Sequence, residues 1–144
     1  MDQMNLIAWT GRTAEEFGGL DHRQAGMMHA TLGQPGRAGP AQGDALPPLW
    51  HWAAFPPMAS MEQLGEDGHP QPGEFLPPMP AKRRMWAGGS LRFHAAIHVG
   101  ERLTRRSVIR DIQHKGEDAQ MSFVTVDHMI YGERGLAITE QQDI

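Results

Sequence analysis

The sequence predicts an α+β fold in which a curved antiparallel β-sheet wraps one central helix. The first observation behind this prediction is that all eleven prolines lie between Pro35 and Pro80. Proline lacks the N–H group that a sheet ladder needs, so the middle of the chain cannot form a continuous sheet, whereas the proline-free last third can. The second observation is that short polar turns divide this last third, as an antiparallel arrangement requires.

The chain of 144 residues is long enough for one domain with a substantial core and too short for two ordinary ones. We therefore predict a single domain over residues 1–144. Within it we expect a helix over 21–33, a long excursion rich in proline and glycine over 34–82, and antiparallel strands over 83–144.

The first part of the chain predicts two helical pieces. Thr13 and Glu16 have the spacing of a capping box, which predicts a helical turn before Gly18. Asp21 can cap the start of a longer helix, and Gly33 can end it. The apolar residues that recur there at helical spacing are Ala25, Met28 and Leu32. This second piece is the central helix of the predicted fold.

The middle part combines loop composition with one aromatic segment. Residues 46–57 read LPPLWHWAAFPP and include Trp50, Trp52 and Phe55. Aromatic side chains of this size indicate that the segment is buried against another part of the protein. Residues 62–82 return to glycine and proline, and a loop of this length is uncommon unless it is functional or disordered. Its aromatic residues favour a functional loop.

The last part predicts four strands joined by tight turns. Apolar and polar residues alternate over 91–99, which is typical of a half-buried strand. Three further strands are predicted over 103–113, 121–131 and 136–144, with polar or glycine-containing turns between them. Four strands joined in this way form an antiparallel meander across which one helix can pack.

Composition and charge exclude several classes of function. A formal net charge of -4 argues against nucleic acid as a partner. The absence of cysteine excludes disulfides, thiolate zinc sites and cysteine nucleophiles. The N-terminal residues do not resemble a signal peptide, and no apolar stretch is long enough to cross a bilayer. We therefore expect a soluble, cytoplasmic protein without a membrane partner.

The histidines do not predict a metal site or an acid–base pair. His94 and His98 lie on a predicted strand, where four residues span roughly 13 Å, too far for one ion. Asp127 and His128 are adjacent on another strand, so their side chains point to opposite faces. We expect no metal and no cofactor.

A basic run over residues 82–107 is the most informative surface feature. Arg83 and Arg84 close the proline-rich loop beside Trp86, and a forked guanidinium next to an aromatic ring is suited to a phosphate or a carboxylate. The alternative is that the arginines of this region are solvated strand and turn residues. The arginines to which that alternative applies most directly are Arg92, Arg102, Arg105, Arg106 and Arg110.

Four stretches resemble the MaoC-like hydratases and dehydratases of hot-dog fold, and more narrowly the N-terminal half of the hydroxyacyl-thioester dehydratase type 2 branch, which includes mesaconyl-CoA and itaconyl-CoA hydratases. The stretches are GDALPPLWHWAAFPP, GHPQPGEFLPPMPAKRRMWAGGSLRF, VGERLTRRS and FVTVDH. The resemblance implies a helix within an antiparallel sheet, and two such units that pair around an acyl-thioester tunnel. It also implies reversible addition of water to the α,β double bond of an acyl-CoA.

The catalytic signature of that family is absent from this sequence. The family places an Asp or Asn and a nearby His at the head of the hot-dog helix, in strings such as NGHRIHYD or GDxNPxH, and neither string occurs here. No catalytic residue can therefore be carried over. The resemblance implies a substrate-shaping hot dog whose partner, an identical or different hot-dog domain or subunit, supplies the catalytic motif.

Two other functions remain open alongside this one. The chain could be a non-catalytic hot dog that binds acyl-CoA or serves as a scaffold, or His51 or His22 could perform the chemistry in an unfamiliar arrangement.

For substrate or CoA binding we select Arg83, Arg84 and Trp86, and then His51 and Trp52; packing in the core or an interface is the alternative role for the tryptophans. The arginine pair could hold either a CoA phosphate or the carboxylate of a dicarboxylic substrate.

Overall fold

The computed structural model describes residues 6–33, 35–79, 84–115 and 121–144. Five strands form one sheet, and one main helix packs with it, so the α+β prediction is confirmed. The strands and the helix are, in chain order, β1 (Thr13–Gly18), α1 (His22–Leu32), β2 (Gly88–Phe93), β3 (Leu103–Lys115), β4 (Met121–Gly132) and β5 (Gly135–Asp143). Two short 3-10 helices, Trp50–Ala53 and Met61–Gln63, lie in the long connection between α1 and β2.

The sheet order differs from the expected four-stranded meander. The order is β1-β3-β4-β5-β2, and every neighbouring pair is antiparallel. Only β3, β4 and β5 follow one another as hairpins. β2 crosses to the far edge to pair with β5, and β1 adds a strand at the opposite edge. Hairpin turns are local signals, whereas these two edge pairings join residues far apart in the chain.

A strand occupies the region in which the capping-box spacing predicted a helical turn. β1 pairs with β3, so that Glu15 lies opposite Arg106 and Glu16 lies opposite Arg105. Each of these pairs is also an ion pair between the strands. The helical prediction was wrong because the pattern considers only neighbouring residues, and the partners that stabilise β1 belong to a distant strand.

The predicted strand over 91–99 is interrupted. β2 ends at Phe93, and the chain then turns, although the N–H of His94 still donates to the carbonyl of Ala137 at 2.7 Å. Ile97 and Val99 are buried from this irregular segment. The alternation therefore indicated burial correctly for Ile97 and Val99 but not for Phe93, which is exposed, and it did not indicate a continuous strand.

The inner face of the sheet carries two apolar clusters. The first joins the sheet to α1 and to the aromatic segment, and its members include Leu20, Ala25, Phe55, Leu103, Ile130 and Ile138. The second lies at the other end of the sheet and contains Leu6, Ile109, Ile112, Val124 and Val126. The separation between them leaves a band of the inner face that is not apolar.

α1 is short and is attached to the core through one side of its surface. Its start carries a complete capping box, in which the Asp21 carboxylate accepts the N–H of Gln24 at 2.7 Å and the Gln24 side chain accepts the N–H of Asp21 at 3.0 Å. Ala25 is buried and Met28 packs against the first cluster. Met27 and Leu32 are exposed, so α1 presents an apolar surface to its surroundings. None of the helices in the described ranges combines the length and apolar character that a membrane span requires.

Candidate functional site

A groove of about 710 Å³ lies between the 65–79 loop, the 84–87 segment and the first residues of β4. Its walls are mainly apolar and include Leu76, Met79, Trp86 and Phe123. The loop rich in glycine and proline therefore forms one wall of the groove. Its backbone follows the groove without regular secondary structure. A mostly apolar cleft with a few polar groups is the usual form of a small-molecule site.

The charged or titratable side chains that line this groove are Glu66, Asp67, His69 and Arg84. Arg84 lies on one wall, and Asp67 and His69 lie on the other, where the His69 ring nitrogen is 3.2 Å from the Asp67 carboxylate. The backbone N–H of His69, which donates to Asp67 at 3.1 Å, is the main cause that lowers the pKa of Asp67, and the His69 and Arg84 charges add to it. Asp67 therefore stays ionised, and Arg84 supplies positive charge to the groove.

A second, shallower groove of about 540 Å³ lies beside α1. Its lining is almost wholly apolar and includes Met28, Leu32, Leu49 and Trp52. The two grooves meet at a pair of tryptophans, because Trp52 lines this groove and Trp86 lines the first. Their rings pack edge to face with centroids 6.5 Å apart.

A buried carboxylate lies beneath this tryptophan pair. Glu140 projects from β5, and its two oxygens accept three hydrogen bonds. His51 Nε2 lies 3.0 Å from Oε2, whereas Oε1 accepts from Trp52 Nε1 at 2.8 Å and from Gln142 Nε2 at 2.7 Å. Burial raises the pKa of Glu140, but the hydrogen bonds from His51, Gln142 and Trp52 together outweigh burial and hold that pKa below its ordinary value. Glu140 is thus a buried anion at neutral pH.

A second buried histidine lies next to Glu140 on the sheet. His128 is opposite Glu140 on β5 and opposite Ser107 on β3, and its Nδ1 is 2.7 Å from the Ser107 hydroxyl. Burial, followed by the positive charge of Arg105, lowers the pKa of His128 below its ordinary value, against the opposing effect of Glu140. Ser107, His128 and Glu140 therefore form the polar band between the two apolar clusters.

The lowered pKa of His128 predicts acid sensitivity. Because the folded pKa lies below the unfolded value, the contribution of this group to stability is complete above about pH 6.5 and is lost as the pH falls towards the folded pKa. We expect the free energy of unfolding to decrease as the pH falls below about 6.5, by at most about 1.4 kcal/mol per pH unit from this group. Denaturant unfolding at several pH values measures the slope.

His128→Gln should reduce the dependence of the free energy of unfolding on pH, because position 128 then no longer takes up a proton when the chain unfolds. His22→Gln, at an exposed histidine, is the matched control and should leave the slope unchanged. Equal slopes for the wild-type protein and His128→Gln would contradict the assignment.

The sequence-selected binding residues have different positions in the structure. Arg84 and Trp86 lie together in the larger groove, and Trp52 joins them through its contact with Trp86. His51 is buried behind Trp52, and Arg83 lies outside the described residues. A role in substrate or CoA binding stays a prediction for all five positions.

Other parts of the basic run are neutralised by carboxylates. Arg105 pairs with Glu16, Arg106 pairs with Glu15, and Arg110 pairs with Asp127. The exposed ion pairs of Arg106 and Arg110 agree with the alternative that these arginines are strand surface, whereas Arg105 is mostly buried and packs over the Phe55 ring. Asp127 and His128 point to opposite faces of β4, as their adjacency predicted, with Asp127 towards Arg110 and His128 towards Ser107.

Glu140 and His128 were not selected from the sequence. Each is a polar residue in an alternating strand, and the same pattern is produced by a residue that faces solvent. The LWHW segment was a partial signal, because a histidine between two large aromatics in a buried loop needs a polar partner. The sequence could not show that the partner is Glu140, which lies 89 residues later.

The chain was compared with known families and sequences. A family model described as hydroxyacyl-thioester dehydratase type 2 matches residues 49–144. The mesaconyl-C(4)-CoA hydratase of Chloroflexus aurantiacus is 44% identical over 145 residues, a match that covers 100% of this chain and 51% of the relative. The chain therefore spans about half the length of this curated relative.

Two solved structures have a similar fold. The (R)-hydratase from A. caviae involved in PHA biosynthesis is 14% identical, with a TM-score of 0.52 over 93% of each chain. The MaoC-like dehydratase from Rhodospirillum rubrum is 13% identical, with a TM-score of 0.56 over 99% of this chain and 94% of that one. At these identities the two structures bear on the fold alone, and they confirm the hot-dog fold that the resemblance implied.

Proposed function

Since the chain belongs to the hydroxyacyl-thioester dehydratase type 2 family, we propose that it is the substrate-shaping hot dog of an enoyl-CoA hydratase or 3-hydroxyacyl-thioester dehydratase. A partner hot dog supplies the catalytic Asp or Asn and His. The observation that carries the proposal is the 44% identity of the whole chain to about half of a mesaconyl-C(4)-CoA hydratase. By the same resemblance, this chain is the N-terminal half of such an enzyme.

The start of α1 supports the division of labour. Hydration of an enoyl thioester develops negative charge on the thioester oxygen, and free N–H groups at a helix N-terminus can stabilise it. In this chain the Asp21 carboxylate already accepts the N–H of Gln24. The donors for the thioester oxygen, like the base and the acid, are therefore assigned to the partner.

The role of this chain is to bind and surround the substrate. The two grooves, which contain one member each of the contacting pair Trp52 and Trp86, offer mainly apolar walls to an acyl chain or a pantetheine arm. Arg84 adds a cation at the larger groove, which suits either a CoA phosphate or a substrate carboxylate. The substrate class that fits is a short branched or dicarboxylic acyl-CoA of the mesaconyl type.

A hybrid enzyme tests the proposal. The matched half of the Chloroflexus aurantiacus hydratase is replaced by this chain, and hydration of mesaconyl-CoA and crotonyl-CoA is followed by the loss of absorbance of the conjugated thioester. We expect turnover by the hybrid and none by the isolated chain, because only the hybrid contains a catalytic motif. The isolated other half of the relative, assayed alone and after mixing with this chain, is the matched control.

Two results would contradict the division of labour. Turnover by the isolated chain would place the chemistry within it, and His51→Ala and His22→Ala variants would then identify the group responsible. A folded hybrid without turnover, together with no calorimetric binding of CoA thioesters, would leave the scaffold alternative. Binding without turnover would favour a non-catalytic acyl-CoA-binding protein.

A further inference from the structure

We propose that Glu140 is a positioning residue, which holds Trp52, and through it Trp86, at the junction of the two grooves. The inference rests on the proposed function, because it assigns the tryptophan pair to the wall of the acyl-thioester site. It adds to that function a buried acid that does not touch the substrate and nevertheless determines the shape of the site.

The geometry connects one carboxylate to two consecutive residues of a 3-10 helix. His51 and Trp52 belong to the helix Trp50–Ala53, and each donates to a different oxygen of Glu140. Two hydrogen bonds from adjacent residues fix both the distance and the rotation of this short helix against β5. A single bond would leave the helix free to rotate about it.

The residue type is suited to this role. The indole N–H of Trp52 and the side-chain N–H of Gln142 can only donate, and an ionised carboxylate is acceptor-only with room for several donors. A glutamine at position 140 would turn its own N–H₂ group towards one of these donors. With Glu140 ionised, His51 Nε2 carries the proton, and its buried Nδ1 has no hydrogen-bond partner among the described residues.

Stability alone does not account for a buried anion at this position. Burial of a carboxylate costs free energy, and well-packed apolar residues of similar volume often stabilise a protein equally or better. Perturbed, buried ionisable groups are concentrated at functional sites. A role in placing other side chains is therefore favoured over a role in stability.

The backbone immediately before the 3-10 helix is strained, and contacts with other parts of the protein are needed to hold it in this conformation. Leu49 has φ of 73°, a left-handed conformation that a leucine rarely adopts. Such a conformation costs free energy and persists only where the surroundings enforce it. The hydrogen bonds from His51 and Trp52 to Glu140 restrain the chain immediately after the strained residue.

The restraint reaches both grooves through the tryptophans. The polar edge of Trp52 is tied to Glu140, whereas its ring is 49% exposed and lines the groove beside α1. Trp86, 61% exposed, packs edge to face on that ring and lines the larger groove. Release of Trp52 from Glu140 would therefore change the shape of both walls.

The test compares Glu140→Gln with Asp127→Asn. Asp127→Asn is the matched control, because it also removes one negative charge. Asp127 lies on the neighbouring strand β4 and faces Arg110 on the opposite side of the sheet. In the isolated chain, the indole N–H resonance of Trp52, assigned with Trp52→Phe, reports its hydrogen bond. We expect Glu140→Gln to shift this resonance and to accelerate its exchange with solvent about tenfold, and Asp127→Asn to leave it unchanged.

In the hybrid enzyme we expect Glu140→Gln to raise KM about tenfold and to change kcat less than about twofold, since the group acts on binding and not on the chemical step. In a Trp52→Phe background the same substitution should raise KM by less than about twofold, because the side chain that Glu140 positions is no longer an indole. Glu140→Asp keeps the charge but shortens the side chain by one methylene. If Glu140→Gln does not fold, the Trp52 indole resonance and KM are measured with Glu140→Asp instead.

An unchanged indole resonance, or an equal KM effect with and without Trp52, would overturn the inference. A hybrid that is inactive with wild-type Glu140 would count against the proposed function, whereas the indole resonance of the isolated chain would still decide whether Glu140 positions Trp52.

Discussion

Arg84→Gln is expected to raise the KM of the hybrid enzyme by about 30-fold, which corresponds to about 2 kcal/mol of lost binding free energy. Charge-assisted hydrogen bonds to a phosphate or carboxylate have this magnitude, and Arg84 lines the larger groove beside Trp86. If Arg84 holds a CoA phosphate, which is remote from the reacting double bond, the free-energy loss should appear in KM with kcat nearly constant.

The choice of substrates separates the two possible ligands of Arg84. Crotonyl-CoA lacks the carboxylate of mesaconyl-CoA, but the two share the CoA phosphates. An effect on both substrates assigns Arg84 to the CoA end, and an effect on mesaconyl-CoA alone assigns it to the substrate carboxylate. Arg92→Gln is the matched control, since Arg92 is an exposed arginine of β2 outside both groove linings. Equal KM values for Arg84→Gln, Arg92→Gln and the unsubstituted hybrid would remove Arg84 from the site.

Gly18→Ala is expected to lower the free energy of unfolding by about 3 kcal/mol, at the upper end of the usual range for overpacking. A Cβ atom on Gly18 would lie 2.1 Å from the carbonyl oxygen of Ala54 and 2.7 Å from a ring carbon of Phe55. The Ala54 oxygen belongs to the backbone and already accepts the N–H of Gly19 at 3.0 Å, so it cannot move without loss of that bond. The end of β1 must therefore separate from the aromatic segment.

Chemical denaturation of the purified chain measures this effect. Gly88→Ala is the matched control, because Gly88 also lies in a strand and a Cβ atom there would meet no other atom within 4 Å. We expect that control to change the free energy of unfolding by less than about 1 kcal/mol. A Gly18→Ala protein as stable as Gly88→Ala would show that β1 and the aromatic segment do not approach as closely as described.

The parts of the fold that local chemistry specifies were predictable from the sequence. Proline removes a ladder donor, so the position of the last proline indicated where the strands β2 to β5 could begin. The ends of α1 could be located because Asp21 and Gly33 have well-defined capping roles, and both act as the caps in the structure. β3, β4 and β5 follow in order because only short segments of the sequence separate them.

The parts that depend on pairing between distant residues could not be predicted. Glu15 and Glu16 have little strand preference of their own and become a strand because Arg105 and Arg106 lie opposite them. The candidate site has the same limitation. Trp52 and Trp86 were visible as aromatics, but their contact, and the hydrogen bond from Trp52 to Glu140, require the register that brings β5 beneath the 3-10 helix.

The three hydrogen bonds at Glu140 also constrain how the protein can evolve. Loss of the carboxylate alone leaves the Trp52 indole and the His51 ring without their acceptor. Loss of either donor alone leaves the buried Glu140 carboxylate with fewer hydrogen bonds to stabilise its negative charge. Single substitutions at these positions are each unfavourable, whereas a joint replacement by apolar residues need not be. Positions 51, 52 and 140 should therefore covary across the lineage, so that related sequences retain the set together or exchange it together.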